Sequence, residues 1–321
     1  MIASIKILAI ISCMVVLIRK KVSVGYVLLV NAALAAALFK MTLKSAAKAV
    51  GAGAFSLNTL DLVAVMIFII GLGNIMKMVR NFDRAIESLE AIFADTRAVM
   101  AVIPAIIGFL PMPGGALLSA PMVETVSKGA DTDAAQNTVI NFWFRHVWEY
   151  IWPLYPGIIL TAALLEIPER NVVAVNFPLS GAAIFGGLLF CFRGVVPPAV
   201  SRKTFALAGH FRQLVASLLP IIVIVLATLV FKMPLLLSLG VVCATLLILH
   251  RFNREQLRVL VRKSATVETI SLIVGVKVFQ SVIDRSGAAS EVVESFVSMN
   301  IPPALLVLAV PFVICILTGI T

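Results

Sequence analysis

The sequence predicts an all-α, polytopic membrane protein of the inverted-repeat kind, with re-entrant hairpins and an incomplete second repeat. Three observations predict it. Hydrophobic residues make up 61% of the chain and charged residues 13%, and mean hydropathy is +1.07, which excludes the soluble classes. Ten apolar stretches are joined by short loops in which Lys and Arg cluster, so the net charge of +10 follows the positive-inside pattern rather than a nucleic-acid-binding face. The order of elements in the first part of the chain also recurs about two hundred residues later.

Residues 2–18 form the first span, closed by Arg19-Lys20-Lys21. The charges follow the apolar run and no small-residue cleavage site appears, which argues against a cleaved signal. Residues 22–39 form the second span. Lys40, Lys44 and Lys48 follow at four-residue spacing, one face of an interfacial helix. Residues 57–79 form the third span, and 80–98 an amphipathic surface helix. The stretch 99–122 is a hairpin, treated below, and 123–139 are polar. Residues 141–165 form the fourth span, interrupted by Pro153, Pro156 and Gly157. Residues 171–192 form the fifth, followed by a basic loop to Arg212. The sixth and seventh spans are 214–231 and 233–249. A basic amphipathic stretch runs from Arg251 to Lys263, and the eighth span is 266–283. Residues 302–317 are apolar again, with Thr318-Gly319-Ile320-Thr321 after them. Cys13, Cys191, Cys243 and Cys315 are far apart within apolar runs and read as packing residues.

The stretch 99–122 carries Pro111-Met112-Pro113-Gly114-Gly115 at its middle. Each interior proline removes a backbone donor and costs a helix about 3 kcal/mol, so the chain turns there. Each arm, as helix, is roughly 15–18 Å long, about half a hydrocarbon core. This predicts a re-entrant hairpin with its tip near the midplane, rather than a kinked span. Charge counting agrees. With the N-terminus outside and 99–122 re-entrant, seventeen Lys and Arg fall inside and six outside; with 99–122 spanning, ten fall inside and thirteen outside.

Sliding residues 61–114 by 207 positions sets Asp61 on Glu268, Glu87 on Glu294 and Pro104 on Pro311. The tip Pro111–Gly114 then falls on Thr318–Thr321. The third and eighth spans are five spans apart and run oppositely, which makes the repeat inverted. Residues 1–212 are the first repeat and 213–321 a partial second. Inverted repeats are typical of secondary transporters, whose sites lie at the repeat interface near the midplane. The first repeat continues past its tip with a second arm and two spans, so the expectation is a longer protein, by roughly ninety residues on the repeat.

The tip chemistry follows from backbone geometry. The second arm starts near Gly115, and its first amides lack intrahelical partners, which suits a carboxylate or similar anion. Gly114 and Gly115 let a ligand approach the backbone. Free carbonyls near Pro111 can hold a cation, and Ser119 offers a hydroxyl one turn on. Met112 and Pro113 complete this tip, and Thr318 and Thr321 match it in the second repeat. Small residues at these positions also serve tight packing alone. A second group is Arg145, His146 and Glu149. Arg145 and Glu149 are four apart on one helix face and can pair, and His146 can relay a proton. The competing reading is an interfacial belt of Trp143, Trp148, Tyr150 and Trp152 with snorkelling charges. Lys277, deep in the eighth span, needs a carboxylate, an anionic ligand or a wet cavity. Asp61 and Glu268 read as solvated helix starts. His146 and Glu149 have the spacing of some metal ligands, but no second pair exists and no metal is expected.

The motifs PMPGGALLSAPMVE (111–124) and NFWFRHVWEYIWPLYPG (141–157) resemble the family of integral membrane proteins known as domain of unknown function 401. That family in turn resembles the ion-transporter superfamily, with divalent-anion/sodium symporters and gluconate permeases. The resemblance implies homodimers in a prokaryotic cytoplasmic membrane. It also implies elevator-type transport of anions with Na⁺ or H⁺, and a broken helix over 141–165 whose break at Pro153–Gly157 brings Pro156 and Gly157 to the substrate. Divalent-anion symporters carry Ser-Asn-Thr at their hairpin tips. This chain does not, so their sodium sites and dicarboxylate selectivity do not carry over.

The expected function is therefore a permease for a small anionic solute, working in the bilayer, with no nucleic-acid partner and no cofactor beyond Na⁺ as coupling ion. A channel or a membrane scaffold is the alternative. No HExxH or G-x-S-x-G occurs and the three histidines are scattered, so an enzyme is not expected.

Overall fold

A computed structural model describes residues 2–93, 95–109, 115–196, 207–288, 290–291, 302, 304–305, 309 and 312, the side chains of 2–4, 90 and 115–118 excepted. The described chain is all-α, with fourteen helices and no strand. In order they are α1 (Ile2–Arg19), α2 (Val24–Leu38), α3 (Leu43–Phe55), α4 (Leu57–Met78), α5 (Asn81–Ile92), α6 (Thr96–Gly108) and α7 (Gly115–Val126). Then come α8 (Ala134–His146), α9 (Pro156–Leu165), α10 (Glu169–Phe190), α11 (Leu207–Leu229), α12 (Leu235–Leu249), α13 (Arg254–Ser264) and α14 (Val267–Ser286).

Helices α4, α10 and α11 are each long and apolar enough to cross a membrane, and α13 with α14, bent by 40° at their junction, qualifies as a pair. Several apolar helices can thus span a bilayer, as in a multi-pass membrane protein. On α10 the side chains of Val175, Phe177, Leu179, Phe185, Leu188 and Phe190 are exposed. So much contiguous apolar surface suits lipid better than water. The two arms flanking the proline-glycine tip are α6 and α7. At 13 and 12 residues each is roughly 20 Å long, short of a 30 Å core. The tip residues Pro111, Met112, Pro113 and Gly114 lie outside the described residues, as do Thr318 and Thr321.

The chain forms two compact units, residues 1–64 with 265–321, and residues 65–264. In the first, α14 lies on α2 and α3 and the backbones nearly touch. A Cβ on Gly25 would stand 2.3 Å from the Ser271 carbonyl carbon, one on Gly275 2.5 Å from the Gly25 oxygen, and one on Gly53 2.6 Å from the Val278 Cα. Only residues without a side chain permit such a crossing. Lys6 ties α1 to the segment after α14, with Nζ 3.1 Å from Glu291 Oε2 and 4.2 Å from the Phe39 ring centroid. Lys277 donates to the Gln280 amide oxygen at 2.7 Å. Its neighbour on the same helix is thus a neutral amide, beside the carboxylate, anionic ligand or wet cavity that the sequence predicts for it.

In the second unit α6, α7 and α8 pack together, α10 lies on α8 and α9, and α11 on α5. Helix α5 turns Phe82, Ala85, Ile86 and Leu89 inward, an i, i+3, i+4, i+7 face. The second half of α4 reaches α12 and α13, through Cys243 Sγ to the Phe68 carbonyl at 3.8 Å and Asn74 Nδ2 to Ser264 Oγ at 3.2 Å.

The two series α1–α4 and α11–α14 carry matching punctuation. Left-handed Lys21 and Lys232 precede α2 and α12, and left-handed Lys40 and Arg251 follow them. Ser56 caps α4 through Thr59, with hydroxyls 2.8 Å apart, and Thr266 caps α14 through Thr269 at 2.9 Å. These landmarks sit 211 and 210 residues apart. The spacing read from the sequence is 207 positions; at 210, Asp61 would fall on Ser271 rather than on Glu268. Asp61 and Glu268 are both exposed.

Substituting Gly275→Ala should destabilise the protein by at least about 1–3 kcal/mol, since backbone cannot yield as a side chain does. Gly51, on the same face-to-face assembly but with nothing within 4 Å of a Cβ, should tolerate alanine and gain about 0.8–1 kcal/mol of helix propensity. Thermal unfolding in detergent compares the two directly.

Candidate functional site

The site is built where two helices stop. Helix α8 is capped by Asp133, whose carboxylate accepts from the Gln136 amide at 2.7 Å, and it ends at His146. From Val147 to Tyr155 the chain makes turns, including Glu149 N to His146 O at 3.1 Å and Tyr155 N to Trp152 O at 2.9 Å. Pro153 has no N–H and keeps Trp152 out of the helical region. The helix resumes at Pro156, a residue whose fixed φ suits the first helical position. The break is therefore longer than the Pro153–Gly157 expected from the sequence. Pro156 and Gly157 form the first turn of α9 rather than the interruption itself.

Helix α6 ends against this break. A Cβ on Gly108 would stand 2.2 Å from the Arg145 carbonyl oxygen, so only glycine fits there. The next residue, Phe109, stacks on Trp152 at 4.4 Å between centroids and 21° between planes, with Trp148 at 5.2 Å. Trp152 Nε1 donates to the Phe109 carbonyl at 2.6 Å. On the other side, α10 holds the break in place. Ser180 Oγ donates to the Val147 carbonyl at 2.6 Å, and Trp143 Nε1 to the Ala183 carbonyl at 2.8 Å.

Arg145 sits at the centre, 7% exposed. Its Nη1 is 3.4 Å from His146 Nε2. The other imidazole nitrogen, Nδ1, bonds the Phe142 carbonyl. Glu149 Oε1 is 3.7 Å from His146 Nε2. Because α8 ends at His146, Glu149 is not one helical turn beyond Arg145 as the sequence spacing suggested. It is carried on the turn, and His146 stands between it and Arg145.

The structure thus brings Arg145, His146, Glu149 and Pro156 to one place, beside the end of α6. Gly115 opens α7 and Ser119 is fully buried on it. Lys277 belongs to the other unit. Sequence reasoning missed Tyr155, Phe109 and Gly108. The Tyr-Pro-Gly order was the available signal for Tyr155, because a residue just before a proline-started helix occupies its N-cap. The belt residues Trp143 and Trp152 spend their indole N–H groups on backbone carbonyls, and Arg145 is buried rather than snorkelling. Among the described residues, no three His, Cys, Asp or Glu gather as a metal site would require.

The whole of residues 3–321 matches the model of a family described as Protein of unknown function (DUF401). The chain belongs to the DUF401 family. No curated protein matches this DUF401 chain.

For the DUF401 chain, Trp152→Phe should destabilise the α6–break contact by about 1–3 kcal/mol, because it strands the Phe109 carbonyl without its donor while keeping an aromatic ring. Gly108→Ala should cost at least as much. Thermal unfolding checks both. Protease susceptibility near residues 109 and 152 should rise with them.

Proposed function

We propose that this protein is a secondary active transporter of a small anionic solute, coupled to Na⁺ or H⁺, that works by elevator-type alternating access. One observation carries the reading. The end of a short apolar helix, α6, is seated on the break between α8 and α9 at a buried arginine. Broken helices expose unpaired amides and carbonyls inside an apolar body, and transporters place their substrates at such ends. A buried guanidinium is costly, and a bound anion helps offset that cost. The first amides of α9 and Arg145 supply donors, with Gly157 leaving the backbone approachable.

The reading extends to the wider features. The matched series α1–α4 and α11–α14 support an inverted repeat of the ion-transporter superfamily type. The charge asymmetry of the loops supports a multi-pass protein of a prokaryotic cytoplasmic membrane with its N-terminus outside. The hairpin tip at 111–115, with Ser119, is assigned to the substrate as well, and the working form is a homodimer.

The test is a thermal-shift panel of small organic anions and oxyanions, each with Na⁺ or choline. A ligand at a hundred times its dissociation constant adds about 2.7 kcal/mol of stability. One anion class should shift the wild type and fail to shift Arg145→Gln. Gly115→Leu should lose the same shift while the protein stays folded. Shifts with cations or neutral solutes only, or none at all in a folded protein, would move the reading toward a channel or scaffold.

A further inference from the structure

His146 has only one way to satisfy its backbone partner. The Phe142 carbonyl can only accept, so Nδ1 carries a proton. In the neutral ring Nε2 is then a bare lone pair, and Arg145 Nη1, 3.4 Å away, is the donor that faces it. A proton added at Nε2 reverses that relation. The lone pair is gone, the new N–H faces a like-charged guanidinium, and the acceptor within reach is Glu149 Oε1 at 3.7 Å. His146 Nε2 lies within reach of both Arg145 and Glu149, so a change at one is felt at the other.

We infer that the coupling ion is a proton held on His146 Nε2, and that its arrival moves His146 from Arg145 to Glu149 and frees an Arg145 N–H for the transported anion. The inference rests on the anion-transport reading above and adds to it the identity of the ion and the order of events. No covalent chemistry is involved. One proton enters at Nε2, one hydrogen bond to Arg145 is given up and one to Glu149 is formed. Charge also balances, since the incoming proton and the incoming anion neutralise each other within the cluster.

The geometry isolates His146 as the group that switches. Of the charged groups on the helices packed around it, Arg97 stands at the far start of α6 and pairs with Asp95 at 3.0 Å. Glu124 on α7 is exposed, and so is Arg170 beside the half-buried Glu169 at the start of α10. Tyr150 on the turn is exposed as well. Among the described residues, Arg145 and Glu149 are the charged groups within reach of the imidazole.

Two measurements on the full chain test this. The first needs no ligand. Nitrogen NMR of the histidine-labelled protein, with the His146 signal assigned by its loss in His146→Gln, should show the neutral ring protonated on Nδ1. A neutral ring protonated on Nε2 overturns the switch. The second is titration with gluconate, succinate and inorganic phosphate, each alone, from about pH 5.5 to about pH 8, the range in which histidine changes charge. Affinity should fall by up to about tenfold per pH unit as pH rises, as one linked proton requires. His146→Gln should bind independently of pH, and Glu149→Gln should lose the gain at low pH. Binding that ignores pH, or that requires Na⁺, overturns proton coupling and leaves anion transport standing. Binding of none of the three at either pH overturns the anion reading and the linkage with it, while the tautomer still decides the switch.

Discussion

A carbonyl at a helix end inside an apolar layer must find a donor, because lipid supplies none. This constraint shapes the second unit more than any other. Phe109 with Trp152 and Val147 with Ser180 are two solutions to it, each a side-chain N–H or O–H placed on a backbone oxygen. Gln136 adds a third by donating to the carbonyls of Cys191 and Arg193 at 3.2 and 3.1 Å. The first two meet α6 just past its stop at Gly108 and α8 just past its stop at His146. The two stops are what leave room for a charged cluster at this place.

The cluster itself is interdependent. A guanidinium, an imidazole and a carboxylate share a small volume, with His146 between Arg145 and Glu149. Removing one would leave the rest unbalanced. The energy of each arrangement depends on which of its neighbours is engaged.

Much of this was legible in the sequence where proline, glycine and charge spoke directly. The arms around Pro111–Gly115 and the restart of the helix at Pro156 follow from residues that cannot be helical or cannot be elsewhere. The early end of α8 did not. Residues 147–151 contain no proline or glycine, and Pro153 acts locally only on Trp152. The stop at His146 coincides instead with Gly108 meeting the Arg145 carbonyl, a contact between residues far apart in sequence. The i, i+4 spacing of Arg145 and Glu149 was misleading for the same reason, because it presumed a helix that tertiary contacts end. The repeat spacing read from apolar runs, 207 positions, differs by three to four from that of the hydroxyl caps Ser56 and Thr266, since Val, Leu and Ile are interchangeable along a span. The Lys6–Glu291 pair, 285 residues apart, left no trace in either neighbourhood.

The glycine crossing of α2, α3 and α14 also sets an order of assembly. Gly25 and Gly275 touch across 250 positions of chain. At about 5–20 residues per second of synthesis, α2 waits roughly 12–50 s for its partner. Throughout that interval its glycine groove and the facing groove of α3 stand open. The first helices to be made are therefore among the last to be locked. A nascent chain halted anywhere before residue 267 holds a finished-looking N-terminal segment with no helix in its groove.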